Sequence, residues 1–177
     1  MLKSKFSFLD LFIFLLLSIF IYSGCQQQEE RTYTDAELQV IWDNNNQLWN
    51  GGNLDLVDIL YAEECVRHNA DVGDSEGPEG VKKFVKWVYT AYPDFKVSFN
   101  ARVEFKDRII AHWTATGTND GPLNEDMPPT GKKVSFSGLA MSVIINGKIT
   151  EEWAYYNQLP LYAQMGYELV LKEEVEE

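Results

Sequence analysis

The stretch Phe95-Lys96-Val97-Ser98-Phe99-Asn100-Ala101-Arg102-Val103-Glu104-Phe105 decides the fold class. Apolar residues at every second position are the signature of a half-buried strand. Immediately upstream the period is about 3.6 instead. Val81, Phe84, Val85, Val88 and Tyr92 share one face of a helix that Gly77-Pro78 opens and Pro93-Asp94 closes. Cys65 to His68 reads as a brief extended piece, and Asn53 caps a short helix through Leu60. Before that, Thr34 and Glu37 make a capping box. They start a longer amphipathic helix with Leu38, Ile41, Trp42, Leu48 and Trp49, which ends at Gly51-Gly52.

Downstream of the deciding strand the period stays near 2. Lys106-Asp107 turns into a strand over 109–118, and a polar loop with Pro122, Pro128 and Pro129 follows. A long strand over 134–145 meets a two-residue hairpin turn, Asn146-Gly147, and 149–156 returns beside it. A short helix around 159–167 and an acidic tail, 171–177, complete the chain. Helices first and consecutive antiparallel strands afterwards make an α+β domain. The early helices cover one face of a curved sheet without filling its concavity, so an aromatic-lined cavity is expected there.

Composition narrows the function classes. With 15 Lys+Arg against 27 Asp+Glu, the 177 residues carry a net charge of -12. Nucleic-acid binding is disfavoured, because phosphate contacts need a basic face. Two cysteines cannot build a disulfide framework, and two histidines without ligand spacing predict no metal site. Residues 1–24 read as a leader: Lys3 and Lys5 precede a short apolar run from Leu11 to Ile21, too short to span a bilayer. Ser23-Gly24-Cys25 then looks like a bacterial lipoprotein signal, despite Tyr22 where Leu is usual. That resemblance implies cleavage before Cys25, lipidation of its thiol and a place in the bacterial cell envelope, facing the periplasm or the exterior. Residues 25–33 become a polar tether, and 13 cations remain against 26 acids. Such a domain stands off an anionic membrane surface on its lipid anchor. Cys65 is expected to be a small buried hydrophobe.

Several short motifs occur in a telling order. They are Trp49-Asn50-Gly51-Gly52-Asn53-Leu54-Asp55, Val66-Arg67-His68-Asn69, Gly77-Pro78-Glu79-Gly80 and Tyr92-Pro93-Asp94-Phe95. Trp113-Thr114-Ala115-Thr116-Gly117-Thr118, Pro129-Thr130-Gly131-Lys132, Asn146-Gly147-Lys148-Ile149, Glu152-Trp153 and Gln164-Met165-Gly166 follow. Over residues 34–170 the chain resembles the SnoaL-like, or ester cyclase, family of the nuclear transport factor 2-like superfamily. The resemblance implies a cone of strongly curved antiparallel sheet covered by N-terminal helices, with a ligand cavity inside. It also implies an intramolecular aldol ring closure without metal or organic cofactor. In the family's cyclases an Asp after the final Trp motif serves as acid and base, and the matching position here is Asn157. An amide has no proton equilibrium near neutral pH, so Asn157 could orient a carbonyl but not act as the base.

His68 is then the leading candidate for a replacement base, since imidazole titrates near physiological pH. Candidate pocket residues are Phe84, Trp87, His112, Trp113, Trp153 and Tyr155, with Tyr156 as a further apolar wall. Alternation allows only one of His112 and Trp113 to look inward. Asp94 is expected to fix its own turn, and Asn119 stands where the family often carries His. Three readings follow. The first is a lipid-anchored domain that binds a small, largely apolar molecule. The second is a cofactor-independent cyclase-like or isomerase-like enzyme working by acid/base chemistry. The third is a non-catalytic interaction module, with the outer sheet face joining two copies into a homodimer.

Overall fold

Capping chemistry and turn chemistry fix the elements where the sequence places them. The computed structural model describes residues 33–69, 72–168 and 170. The leader, Cys25 and the acidic tail lie outside the described residues. Helix α1, Asp35–Gly51, begins at the capping box: Thr34 accepts from the Glu37 amide, and the Glu37 carboxylate accepts from the Thr34 amide. It ends where Gly52 adopts the left-handed conformation at φ 62°. Helix α2 is Asp55–Leu60, with Asn53 Oδ1 accepting from the Asp55 amide. Strand β1 is Tyr61–Asn69, β2 is Ser75–Glu76 and helix α3 is Gly77–Ala91. Strands β3, Lys96–Phe105, β4, Arg108–Thr118, β5, Lys133–Ile145, and β6, Lys148–Tyr156, precede helix α4, Gln158–Met165.

The strands form one sheet in the order β2-β1-β6-β5-β4-β3. β3 to β6 make the antiparallel meander that their period predicts, and Asn146 and Gly147 both take positive φ in the hairpin turn. β1, expected only as a brief piece, is nine residues long and runs parallel to β6. No local pattern announces that pairing, because its partners are more than 80 residues apart in the chain.

Bulges decide which face each side chain takes. In β3 the register shifts between Phe99 and Ala101, so Asn100 is an extra residue. An extra residue bends the strand and exchanges its faces. Val97 and Phe99 therefore face the helices, whereas Val103 and Phe105 are over 60% exposed on the opposite face. A continuous apolar face along β3, as the alternation suggested, is not formed. A second shift in β6, between its pairings to Val143 and Ile144, makes Thr150 extra and turns Glu152 inward.

The core lies between the concave sheet face and the helices, with Leu48, Val57, Val81 and Val85 fully buried. Tyr33 joins it, donating its hydroxyl to the Ile144 carbonyl and accepting from the Gly147 amide. Cys65 is buried and free, and burial raises its thiol pKa, as expected of a packing residue. Asp94 bonds its own backbone, as expected, and also acts across the fold. Its carboxylate accepts from the Thr118 amide and hydroxyl at the end of β4, and these bonds lower its pKa. Among the described residues no helix is long and apolar enough to cross a membrane.

Candidate functional site

Registry across the sheet sets the inward rows, and the side-chain sizes of three of them explain why the cone is not filled. Phe99, Trp113, Gly138 and Tyr156 form one row across β3, β4, β5 and β6. The next is Ala111, Ala140 and Ala154, with Asn69 of β1 beside Ala154. The third is Ile109, Ser142, Glu152 and Arg67. Three alanines between a bulky row and a polar row leave a cavity of about 200 Å³. Gly138 is needed because a Cβ there would stand 2.4 Å from Trp113 Cζ2. Its absence lets the Trp113 ring lie across β5, edge-on to Phe136 and Tyr156. From the helical side Trp42, Trp49, Phe84 and Trp87 close the space, and the Trp87 indole nitrogen is held by the Leu123 carbonyl at 2.8 Å.

One corner of this apolar space is polar. Glu152 Oε2 accepts from the Tyr61 hydroxyl at 2.7 Å and from Arg67 Nε at 2.9 Å. Glu152 Oε1 has a longer contact, 3.4 Å, with the Ser142 hydroxyl. The Arg67 and Glu152 side chains are only 8% and 4% exposed. The Arg67 guanidinium lies 4.3 Å from the Phe84 ring centroid and 5.1 Å from that of Trp49, so it is oriented by cation–π contact as well. Burial, then the negative charge of Glu152, hold the Tyr61 phenol pKa well above its usual value of 10.0. It is a proton donor to the carboxylate at neutral pH.

Some capacity is unspent. Arg67 Nη1, Asn69 Oδ1 and Asn45 Oδ1 are buried and have no hydrogen-bond partner among the described residues. All three residues line the cavity. The Asn69 amide nitrogen is committed, at 2.9 Å to the Gly73 carbonyl and 3.0 Å to the Ser75 hydroxyl, so its oxygen is the atom left over.

The residues expected from sequence divide by strand parity. Phe84, Trp87, Trp113 and Tyr156 line the cavity. His68, His112, Trp153 and Tyr155 do not, because each alternates with an inward neighbour and so points to the outer face. On that face His68 stacks on Trp153 at a centroid distance of 5.1 Å. Its Nδ1 lies 3.0 Å from Asp74 and its Nε2 lies 3.2 Å from Glu151. His112 is exposed and meets Asn100 at 3.3 Å, and Tyr155 is 61% exposed. Asn157 is also exposed: it is the N-cap of α4, accepting from the Leu159 amide at 3.2 Å. It therefore neither faces His68 nor reaches the cavity. Asn119 is fully buried but organises a loop, accepting from the Thr130 amide and donating to the Gly121 carbonyl.

Sequence reasoning missed Arg67, Glu152, Tyr61, Ser142, Asn69 and Asn45. The available signal was Cys65-x-Arg67-x-Asn69, a cation on the same parity as a buried cysteine. Among the described residues no cluster of His, Cys, Asp and Glu could hold a metal ion.

Comparison with known proteins agrees with this architecture. The family model described as SnoaL-like polyketide cyclase matches residues 39–165. TsrD from Streptomyces laurentii superposes with a TM-score of 0.68 at 22% identity, covering 76% of this chain and 98% of its own. A proposed SnoaL-like polyketide cyclase from Jannaschia sp. CCS1 gives 0.66 at 16% identity, over 78% and 99%. A Catenulispora acidiphila protein with a ketosteroid isomerase-like fold, in complex with trimethylamine, gives 0.61 at 16% identity, over 71% and 92%. At these identities the likeness is one of fold. Among curated proteins none matches the chain by sequence.

Proposed function

The chain belongs to the SnoaL-like polyketide cyclase family, and from that premise we propose that it binds a small, largely apolar molecule in its cone while anchored to the bacterial envelope through Cys25. The observation that carries this reading is the 200 Å³ aromatic cavity with a single polar corner. An apolar cavity of about 150 Å³ already accepts a benzene-sized molecule. Ethylbenzene titrated by calorimetry is expected to bind at one site per chain. Ala140→Phe, which fills the alanine row, is expected to abolish it; binding that survives the filled cavity rejects the reading. Anchoring is tested separately: Cys25→Ser should move the protein from membrane to soluble fractions.

The cyclase-like or isomerase-like reading gains support from the same corner. Asn157 cannot supply a base, but Glu152 is a carboxylate inside the cavity. Its Oε2 already accepts two strong hydrogen bonds, which leaves Oε1 as the atom to take a proton from a ligand carbon. Arg67 Nη1 is the donor for the oxygen that becomes negative as the proton leaves. Glu152→Gln keeps the shape and removes the basicity, so loss of turnover with retained binding is the expected result. A homodimer is the reading for the outer face, where Val103, Ile110, Leu139 and Tyr155 are exposed on neighbouring strands. Sedimentation of the wild type and of Leu139→Lys tests it; a monomeric wild type rejects it.

A further inference from the structure

We infer that the polar corner selects a neutral, compact hydroxycarbonyl compound, and discriminates against carboxylic acids and amines of the same size. This deepens the binding reading above and rests on it. The first ground is charge. Among the described residues that line the cavity, Arg67 and Glu152 alone are charged, and they neutralise one another at 2.9 Å. A carboxylate entering the corner would meet Glu152 without a free counter-charge, and an ammonium would meet Arg67. Either ion would lose its hydration in an apolar space that offers no unpaired counter-charge. The net charge of -12 also opposes the approach of anions.

The second ground is the complement of unspent atoms. Arg67 Nη1 is a donor and asks for an acceptor, which a carbonyl oxygen supplies. Asn69 Oδ1 and Asn45 Oδ1 are acceptors and ask for a donor, which a hydroxyl supplies. Arg67 and Asn69 are two apart on β1, so both project from one strand into the same space. A buried polar atom left without a partner is costly, and a ligand that satisfies these atoms relieves that cost. A purely apolar ligand fills the volume and leaves them unpaired. The third ground is size: 200 Å³ suits one or two rings better than a larger fused system.

The test is a matched series titrated into the full chain by calorimetry: 2-hydroxyacetophenone, acetophenone, ethylbenzene, benzoate and benzylamine. The hydroxyketone is expected to bind at least tenfold more tightly than ethylbenzene, with acetophenone between them. Benzoate and benzylamine are expected to bind at least tenfold more weakly than the hydroxyketone. Asn45→Leu should reduce the advantage of the hydroxyketone over acetophenone, because one of the two acceptors is lost. Arg67→Met paired with Glu152→Gln, which leaves no unpaired charge, should bring acetophenone down to ethylbenzene. Equal affinities for ethylbenzene and the hydroxyketone overturn the inference and leave the cavity reading standing. Tightest binding by benzoate or benzylamine also overturns it. No binding by any of the five rejects the cavity reading itself.

Discussion

Arg67 and His68 are chain neighbours, as are Glu152 and Glu151, yet they form two clusters that share almost nothing but composition. Inside the cone a guanidinium, a carboxylate and two aromatic rings meet without solvent. On the outer face an imidazole, two carboxylates and one aromatic ring meet in contact with water. One residue of parity separates them. The inner cluster is held from several elements and keeps unspent hydrogen-bonding atoms. The outer one is screened, has both imidazole nitrogens partnered by carboxylates and faces away from the cavity. The same residue types thus make a candidate site on one face and a surface clasp on the other, and the difference is desolvation.

The sharpest way to break this comparison is to remove one carboxylate from each side. Glu152→Ala strands the Arg67 charge and the Tyr61 hydroxyl, and should cost about 3–5 kcal/mol. Glu151→Ala should cost no more than about 1 kcal/mol. Urea unfolding of both variants checks the contrast, and comparable losses would dissolve the distinction. If Glu152→Ala fails to fold, the pair Arg67→Met with Glu152→Gln decides. It should recover to within about 2 kcal/mol of wild type, because the charges leave together and an acceptor for Tyr61 remains.

A smaller effect is expected in the aromatic row. Gly138→Ala forces a methyl group against Trp113 and the Tyr155 carbonyl, at an overpacking cost of about 1–3 kcal/mol. The tryptophan emission should shift to the red as Trp113 is displaced, and an unchanged spectrum would show that the row tolerates it.

The smallest effect is the pH dependence of the outer clasp. Partial burial of His68 works against its charged form, but the hydrogen bonds it donates to Glu151 and Asp74 outweigh it and raise its pKa above the ordinary 6.5. The folded state therefore holds the proton more tightly than the unfolded chain. That contribution is complete below pH 6.5 and is lost as pH rises through the higher folded value. Wild type minus His68→Gln should show under about 1 kcal/mol of extra stability at pH 5.5–6, which declines as pH rises above the folded value. A difference that grows with pH would contradict this assignment.

Much of the fold was legible because its signals are local. The Thr34–Glu37 capping box, the Gly52 helix end, the Asn146-Gly147 turn and the β3 to β6 periodicity each depend on residues a few positions apart. The aromatic walls were half legible for the same reason: Phe84 and Trp87 lie on a helix whose buried face the period reveals. The site was less so. His68 stands out because titration near pH 7 suggests a base, while the parity that turns it away from the cavity is invisible without a fixed register. Asn157 was placed by its distance from a Trp motif, and its capping role appears only once α4 is seen to begin there.

Short-range pattern and motif order carried the class of architecture, the family and the expectation of a cavity. Which face each strand residue takes was set by contacts between distant parts of the chain. The bulges at Asn100 and Thr150 and the parallel pairing of β1 with β6 are long-range events. They bring Arg67 to Glu152 across 85 residues of chain and turn His68 away from it. A period of 2 fixes faces only relative to a register, and the register is set by the partner strand.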